Sequence, residues 1–356
     1  MEGKTMKALI KTAKGPENLE FKCWPTPEIG DDDILLEVKA AGICGSDLRT
    51  RHLGTSENLR PPVVIGHEFA GVVAAVGKNV KDYKIGERIV SDNTGDLCGV
   101  CEQCARGNYL MCTHRRGLGV GLDGGFTKYV KIPGKLLAVN PHSLFRIPEN
   151  VSFEEASCLD PVCNAYKAVV QESSLMPGQD VAIFGLGTIG LLAIQIASVM
   201  GAARIIAVDK FYNQQRFDVA KQMGATHLIC SESEDPIEKI AEITGGEMVP
   251  VIIDAAGKNE VLEQALQILS KGGEFIKIGY DDKPVGVSLD RYINKGIRIQ
   301  GHFAYDYVSW KNCIKLLELG KLNVKPIITH KLPLSEWEKG FELTETREGI
   351  KVILIP

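Results

Sequence analysis

The chain has 356 residues, 44% hydrophobic and 24% charged, an ordinary globular composition. Single cores stop growing at about 250–300 residues, so two domains are expected. The net charge of −4 and the absence of any Lys/Arg run remove the electrostatic case for nucleic-acid binding.

The opening MEGKTMKALIKTAKG has neither the apolar core nor the cleavage site of a secretory signal. The longest apolar stretch, residues 189–200, is too short to span a bilayer and contains Gln195 and Ser198. The expectation is a cytoplasmic protein with no membrane partner. In that setting ten cysteines point to metal rather than disulfides.

In chain order, the first 150 residues read as β-rich. Strand-like runs at 34–40, 63–65, 71–76 and 87–91 are closely punctuated by Gly and Pro. Near residue 160 the rhythm changes to alternating strands and helices. Strands are predicted at 181–184, 204–209, 227–230, 251–253, 274–278 and 297–300. Helices are predicted at 188–200, closed by Gly201, and near 214–223, 236–244 and 260–270. Unalternating apolar strands separated by helices indicate a parallel sheet covered on both faces, and six of them suit a doubly wound dinucleotide fold. The tail carries a helix at 310–319 and a final strand at 351–355, and is expected to return to the first domain.

Cys98-x2-Cys101-x2-Cys104-x7-Cys112 is dense enough to place four thiolates around one ion. No position is left open, so the predicted role is a structural zinc, with an iron–sulfur cluster as the competing metal. The intervening loop has little core of its own and needs such a staple.

Gly185-Leu-Gly187-Thr188-Ile189-Gly190 lies between a predicted strand and a predicted helix. The first glycine permits the tight turn. The second lets a pyrophosphate approach the backbone, and the third allows close helix–strand packing. The helix N-terminus offers free N–H groups to phosphate. Asp209, 24 residues after Gly185, suits the two ribose hydroxyls and repels a 2′-phosphate, which favours NAD over NADP. Lys210 and Arg216 lie nearby and soften that preference.

Cys44, Ser46 and Asp47 lie in GICGSD (42–47), followed by Gly66-His67-Glu68 and Asp160-Pro161. Together they offer a thiolate, an imidazole and carboxylates, and three ligands with one open position make a catalytic zinc site. With GHEFAGVVAAVG (66–77), DGGFTKYV (123–130), DPVCNA (160–165) and GLGTIG (185–190), the chain resembles the zinc-containing medium-chain dehydrogenases, in the branch of sorbitol (polyol) and threonine dehydrogenases.

The resemblance implies an α/β architecture with a GroES-like catalytic domain over 1–158 and 300–356 and a Rossmann NAD-binding domain over 159–299. It implies a catalytic zinc on Cys44, His67 and Asp160, with Glu68 adjacent or exchanging, and hence two zinc ions per chain. Ser46 is placed to take the substrate's hydroxyl proton, with Asp47 behind the ligand turn. Relatives often carry His five positions after the first ligand. Here that position is Arg49, so the relay ends at His52 or water, or Arg49 meets a polar substrate. The expected reaction is NAD-dependent oxidation of a secondary alcohol on a polyol, a sugar (phosphorylated or not) or a cyclitol. L-threonine 3-dehydrogenase is the alternative enzyme, and a non-catalytic NAD-binding relative is the alternative of another class. A homodimer or homotetramer is expected.

Overall fold

Strand Ile34–Gly42 is buried along almost its whole length, and the first half of the chain is arranged around it. In this computed structural model, which describes residues 5–54, 58–211, 213–281, 283–286, 288 and 290–356, it lies inside a seven-stranded sheet. The strand order is Ile328–Pro333, Lys351–Ile355, Ile34–Gly42, Glu68–Val76, Arg88–Ser91 and Leu144–Arg146, with Tyr129–Ile132 also pairing to Ile34–Gly42. A smaller sheet joins Leu19–Pro25, Thr5–Lys11 and Val63–Val64. Leu9, Phe69, Phe126, Trp337 and Phe341 belong to the apolar core of this part, with the Phe126 and Phe341 rings edge to face at 6.3 Å.

Two pairings matter for chemistry. Gly42 lies opposite Glu68, and Gly42 also lies opposite Ile353 of the last strand. The residues following Gly42, those preceding Glu68 and the start of Lys351–Ile355 are therefore gathered at one end of the sheet.

The second half forms a six-stranded parallel sheet in the order His227–Cys230, Ile205–Asp209, Val181–Phe184, Val249–Asp254, Leu269–Lys277, Arg298–Gly301. Numbered along the chain this is 3-2-1-4-5-6, the doubly wound dinucleotide order. All six strands were expected. Helix Thr188–Met200 has its predicted bounds and is closed by Gly201 in the left-handed conformation, φ 86°, whose N–H bonds the Ala197 carbonyl.

The chain divides into two units. One takes the chain through Asp160 with Asp306–Glu318 and Ile328–Pro356; the other is Pro161–Tyr305 with Leu319–Ile327. Residues 300–305 and Leu319–Ile327 thus lie with the dinucleotide sheet rather than in an unbroken 300–356 return. The second of these has a clear cause: the Gln195 amide, on helix Thr188–Met200, donates to the Asn323 carbonyl at 3.1 Å and accepts from its N–H at 3.0 Å. Strands Thr5–Lys11, Leu19–Pro25 and Ile328–Pro333 and helix Trp337–Glu345 are additions to the predicted elements. Among the described residues no helix is long and apolar enough to cross a membrane.

Candidate active site and metal centres

Helix Gly45–His52 begins at Cys44, which has extended backbone angles. Asp47, buried in the first turn, accepts the Cys44 N–H at 2.9 Å and thereby fixes the turn that presents the thiol. Its other carboxylate oxygen is 3.6 Å from His67 Nδ1. One carboxylate thus orients two candidate ligands, as outer-shell partners of metal-binding histidines do.

The donor atoms of Cys44, His67 and Glu68 all lie within 4.8 Å of one another. The Gly42–Glu68 register explains why. A Cβ at Gly42 would come within 2.4 Å of Glu68 Oε2, so only glycine lets that carboxylate fold over the strand end. Asp160, expected as the third ligand, lies outside this trio. Its Oδ2 accepts from Asn93 Nδ2 at 3.3 Å, and its charge acts on Glu68. Among the described residues the close cluster of candidate donors is thus Cys44, His67 and Glu68, without Asp160.

Glu68 also has a partner that sequence reasoning missed. Lys351 Nζ is 2.5 Å from Glu68 Oε2 and 2.9 Å from the Ile43 carbonyl, with both side chains buried. Burial pushes the Glu68 carboxyl up from its ordinary value; Lys351 pulls it down and Asp160 pushes it up again, leaving it raised. Burial opposes the Lys351 charge, but Glu68 and Cys44 outweigh it and its pKa is raised. His67 behaves alike: burial disfavours its charge, yet Asp47 and Cys44 hold it well above the usual histidine range. A thiolate, an imidazole and a carboxylate together suit zinc.

Ser46 Oγ is 3.4 Å from His67 Nε2, the ring nitrogen that does not face Asp47. Arg49, one helical turn on from Ser46, is exposed. His52 lies between two carboxylates. Its Nε2 is 2.7 Å from Glu345 and its Nδ1 3.7 Å from Glu17, so both nitrogens face carboxylates. The Nε2 contact ties the helix end to Glu345.

Cys98, Cys101, Cys104 and Cys112 also bring their sulfurs within 4.8 Å of one another. The Cys98–Cys104 and Cys98–Cys112 separations are 3.9 and 3.6 Å. A tetrahedron with Zn–S bonds of about 2.3 Å has edges of about 3.8 Å, so the set fits zinc closely. The Val100 and Cys101 N–H groups lower the Cys98 thiol to about 6, while burial pushes Cys104 up to about 12.

At the glycine turn a Cβ on Gly185 (φ 91°) would strike Ala256 N at 2.6 Å, and one on Gly190 would lie 1.8 Å from the Gly185 carbonyl. A Cβ on Gly187 would meet no described atom within 4 Å, which leaves the approach that a pyrophosphate needs. Thr188 and Ile189 open the helix here. Asp209 accepts the Leu186 N–H at 2.7 Å and that of Lys210 at 2.8 Å. Arg216, expected beside the ribose, is buried and gives Nη1 to the Leu186 carbonyl at 2.9 Å. It braces the carbonyl side of Leu186, whose N–H Asp209 holds, while Lys210 remains exposed.

A dinucleotide cradle and metal donor sets of two kinds are the equipment of a zinc-dependent dehydrogenase. Comparison with known proteins agrees. Residues 30–142 match the alcohol dehydrogenase GroES-like domain and residues 188–319 the zinc-binding dehydrogenase domain. The chain is 37% identical to an L-threonine 3-dehydrogenase of Bacillus velezensis over 99% of this chain and 100% of that one. It is 34% identical to a D-arabitol-phosphate dehydrogenase of Enterococcus avium over 99% and 97% of the two chains. A zinc-binding dehydrogenase from Sinorhizobium meliloti 1021, solved bound to NADP, superposes with a TM-score of 0.89 at 30% identity, covering 99% of this chain and 100% of that one. The chain belongs to the zinc-containing medium-chain alcohol dehydrogenase family and is an oxidoreductase using zinc and NAD(P) on small alcohols.

Proposed function

We propose that the chain oxidises a secondary alcohol of a polyol, a sugar or sugar phosphate, or a cyclitol with NAD, at a zinc held by Cys44, His67 and Glu68. The observation that carries the reading is the convergence of those three donors beside the Ser46 hydroxyl. When bound, zinc supplies Lewis acidity to a substrate hydroxyl and the dinucleotide supplies the hydride acceptor. Ser46 accepts the hydroxyl proton as it gives its own to solvent water, Asp47 keeps His67 turned with Nε2 toward the reacting group, and Lys351 holds the Glu68 carboxylate in place. Arg49, exposed one turn from Ser46, suits the far end of a hydroxyl-rich or anionic substrate. Asp209 favours NAD, since a 2′-phosphate would meet a carboxylate already fixed by two backbone N–H groups. The four-cysteine zinc staples its loop.

The same reading includes a homodimer or homotetramer. Among the described residues Arg298–Gly301 pairs on one side only, with Leu269–Lys277, and it carries exposed Ile299. The test is NADH formation from a panel of polyols, sugar phosphates, cyclitols and L-threonine, with NAD and NADP in parallel. Turnover of a polyol or its phosphate with NAD is the expected result. Threonine as the only substrate, or no turnover of any member, refutes the substrate assignment.

A further inference from the structure

Between the four-cysteine loop and the carboxylates of the metal site lies a continuous set of contacts. Arg115 donates its backbone N–H to the Cys112 carbonyl at 3.1 Å. Its guanidinium reaches back to segment 93–94, Nε to the Thr94 carbonyl at 3.0 Å and Nη2 to the Asn93 carbonyl at 3.3 Å. Nearby, Asp96 and Arg116 exchange two backbone hydrogen bonds of 2.9 Å, and the Asp96 carboxylate takes Arg116 at 2.5 Å and Lys135 at 2.9 Å. Segment 93–96 is thus fastened to the loop that the four cysteines close.

Asn93 turns that fastening toward the reaction site. It is buried and left-handed, φ 58°, a conformation that Asn tolerates better than most residues. Its N–H is tied to Ser91 Oγ at 3.1 Å, and its side-chain amide donates to Asp160 Oδ2 at 3.3 Å. A residue held in a costly conformation persists where its surroundings determine it, and here they aim one donor at one carboxylate.

We propose that Asn93 and Arg115 are positioning residues that hold the Asp160 carboxylate apart from the Cys44–His67–Glu68 donor set, so that the four-cysteine centre controls how many carboxylates reach the second metal. The inference rests on the reading that those three residues bind zinc. Glu68 is already committed to that position, and Asp160 is near enough to act on it electrostatically. A second carboxylate swinging in would take the fourth position, the one that a substrate hydroxyl needs. The Asn93 amide withholds it, and Arg115 keeps Asn93 in place only while the cysteine loop keeps its shape.

The test uses the full chain with cobalt(II) exchanged at the Cys44 position, followed by visible absorption, elemental analysis and KM. Asn93→Gly removes the amide while accepting the left-handed backbone. Both metals should remain bound, the cobalt band should shift as a carboxylate takes the fourth position from solvent, and KM should rise about tenfold or more. Arg115→Met, which leaves every cysteine and Asn93 itself, should change both in the same direction and keeps the question decidable if Asn93→Gly does not fold. In an Asp160→Asn background Asn93→Gly should have no further effect on the band. An unchanged band and KM in both single variants overturns the proposal, as does an Asn93→Gly effect of equal size with and without Asp160. A Cys44→Ser protein that still binds two metal ions refutes the metal assignment itself, and the inference with it.

Discussion

Replacing Lys351 with Met should destabilise the metal-free protein far more than the zinc-loaded one. The Lys351 ammonium lies 2.5 Å from Glu68, and both groups are almost wholly inaccessible, at 2% each. Removing one partner of such a pair typically costs about 3–5 kcal/mol, because the other charge stays buried and uncompensated. Met fills much of the lysine stem's volume, so little of this cost is packing. A cation among Cys44, His67 and Glu68 supplies the missing positive charge. With zinc bound, the remaining loss is mainly the hydrogen bond to the Ile43 carbonyl, about 1 kcal/mol. For a unit of this size 1 kcal/mol moves Tm by about 2–4 °C. The chelated variant should therefore melt roughly 6–20 °C below the chelated parent, and the zinc-loaded pair should differ by less than about 5 °C.

The pH dependence has a definite sign. Without Lys351 the downward pull on Glu68 is gone, so its folded pKa rises further above its unfolded value. A carboxyl raised on folding contributes stability at low pH that is lost as pH climbs through the folded pKa. The gap between variant and parent without metal should widen from pH 5 to pH 8. Because zinc removes most of the penalty, the variant should also bind zinc more tightly than the parent. Differential scanning fluorimetry with and without chelator measures all of this. Equal losses of Tm in the two metal states would show that Lys351 supports the strand end rather than the Glu68 charge.

Asp92 gives a second pH effect. Burial pushes it from 3.8 to about 6 against the opposing bonds from Thr94 N–H and the Asn140 amide. At 1.36 kcal/mol per pK unit, stability should fall by about 3 kcal/mol as pH rises through that window. Asp92→Asn should flatten this dependence and stabilise the protein at pH 7 in urea titrations; an unchanged slope argues against the assignment. Ser46→Ala should lower kcat about 10²–10⁴-fold and alter its pH profile with both zinc ions retained. Activity within about twofold of the parent would exclude the hydroxyl from proton transfer. Gly190→Ala puts a Cβ 1.8 Å from the Gly185 carbonyl, so fluorescence titration should show NADH binding lost while the four-cysteine centre keeps its zinc. Retained affinity would mean that the turn tolerates a displacement that its packing forbids.

The dinucleotide half was the legible part of the chain because its signals are local. Val181–Phe184 is apolar throughout, Gly187 caps a long apolar helix, and Gly201 ends it, so strand, turn and helix can each be read within a few residues. The cysteine loop is legible for the same reason. The N-terminal pair Thr5–Lys11 and Leu19–Pro25 is not: Lys7, Lys11, Glu20 and Lys22 interrupt any apolar run, and Lys11 is buried only because the Gly15 and Glu17 carbonyls receive its ammonium.

The choice between Asp160 and Glu68 turns on a pairing that no local pattern contains. Neighbouring residues of a strand face opposite sides, so beside His67 the sequence offers Glu68 only as an adjacent or exchanging ligand. The strand, however, begins at Glu68, and Gly66 at φ 91° redirects the chain just before it, with Phe126 in the space where a side chain would start. Alternation therefore does not bind His67, and both side chains reach the same place. What then fixes the Glu68 carboxylate is remote in sequence: the missing Cβ of Gly42 across the ladder and the ammonium of Lys351 one strand further on. Lys351 heads an otherwise apolar strand, where a lysine reads as an ordinary solvated end. Only the Gly42–Ile353 pairing, joining residues more than three hundred positions apart, turns that end inward against a buried acid.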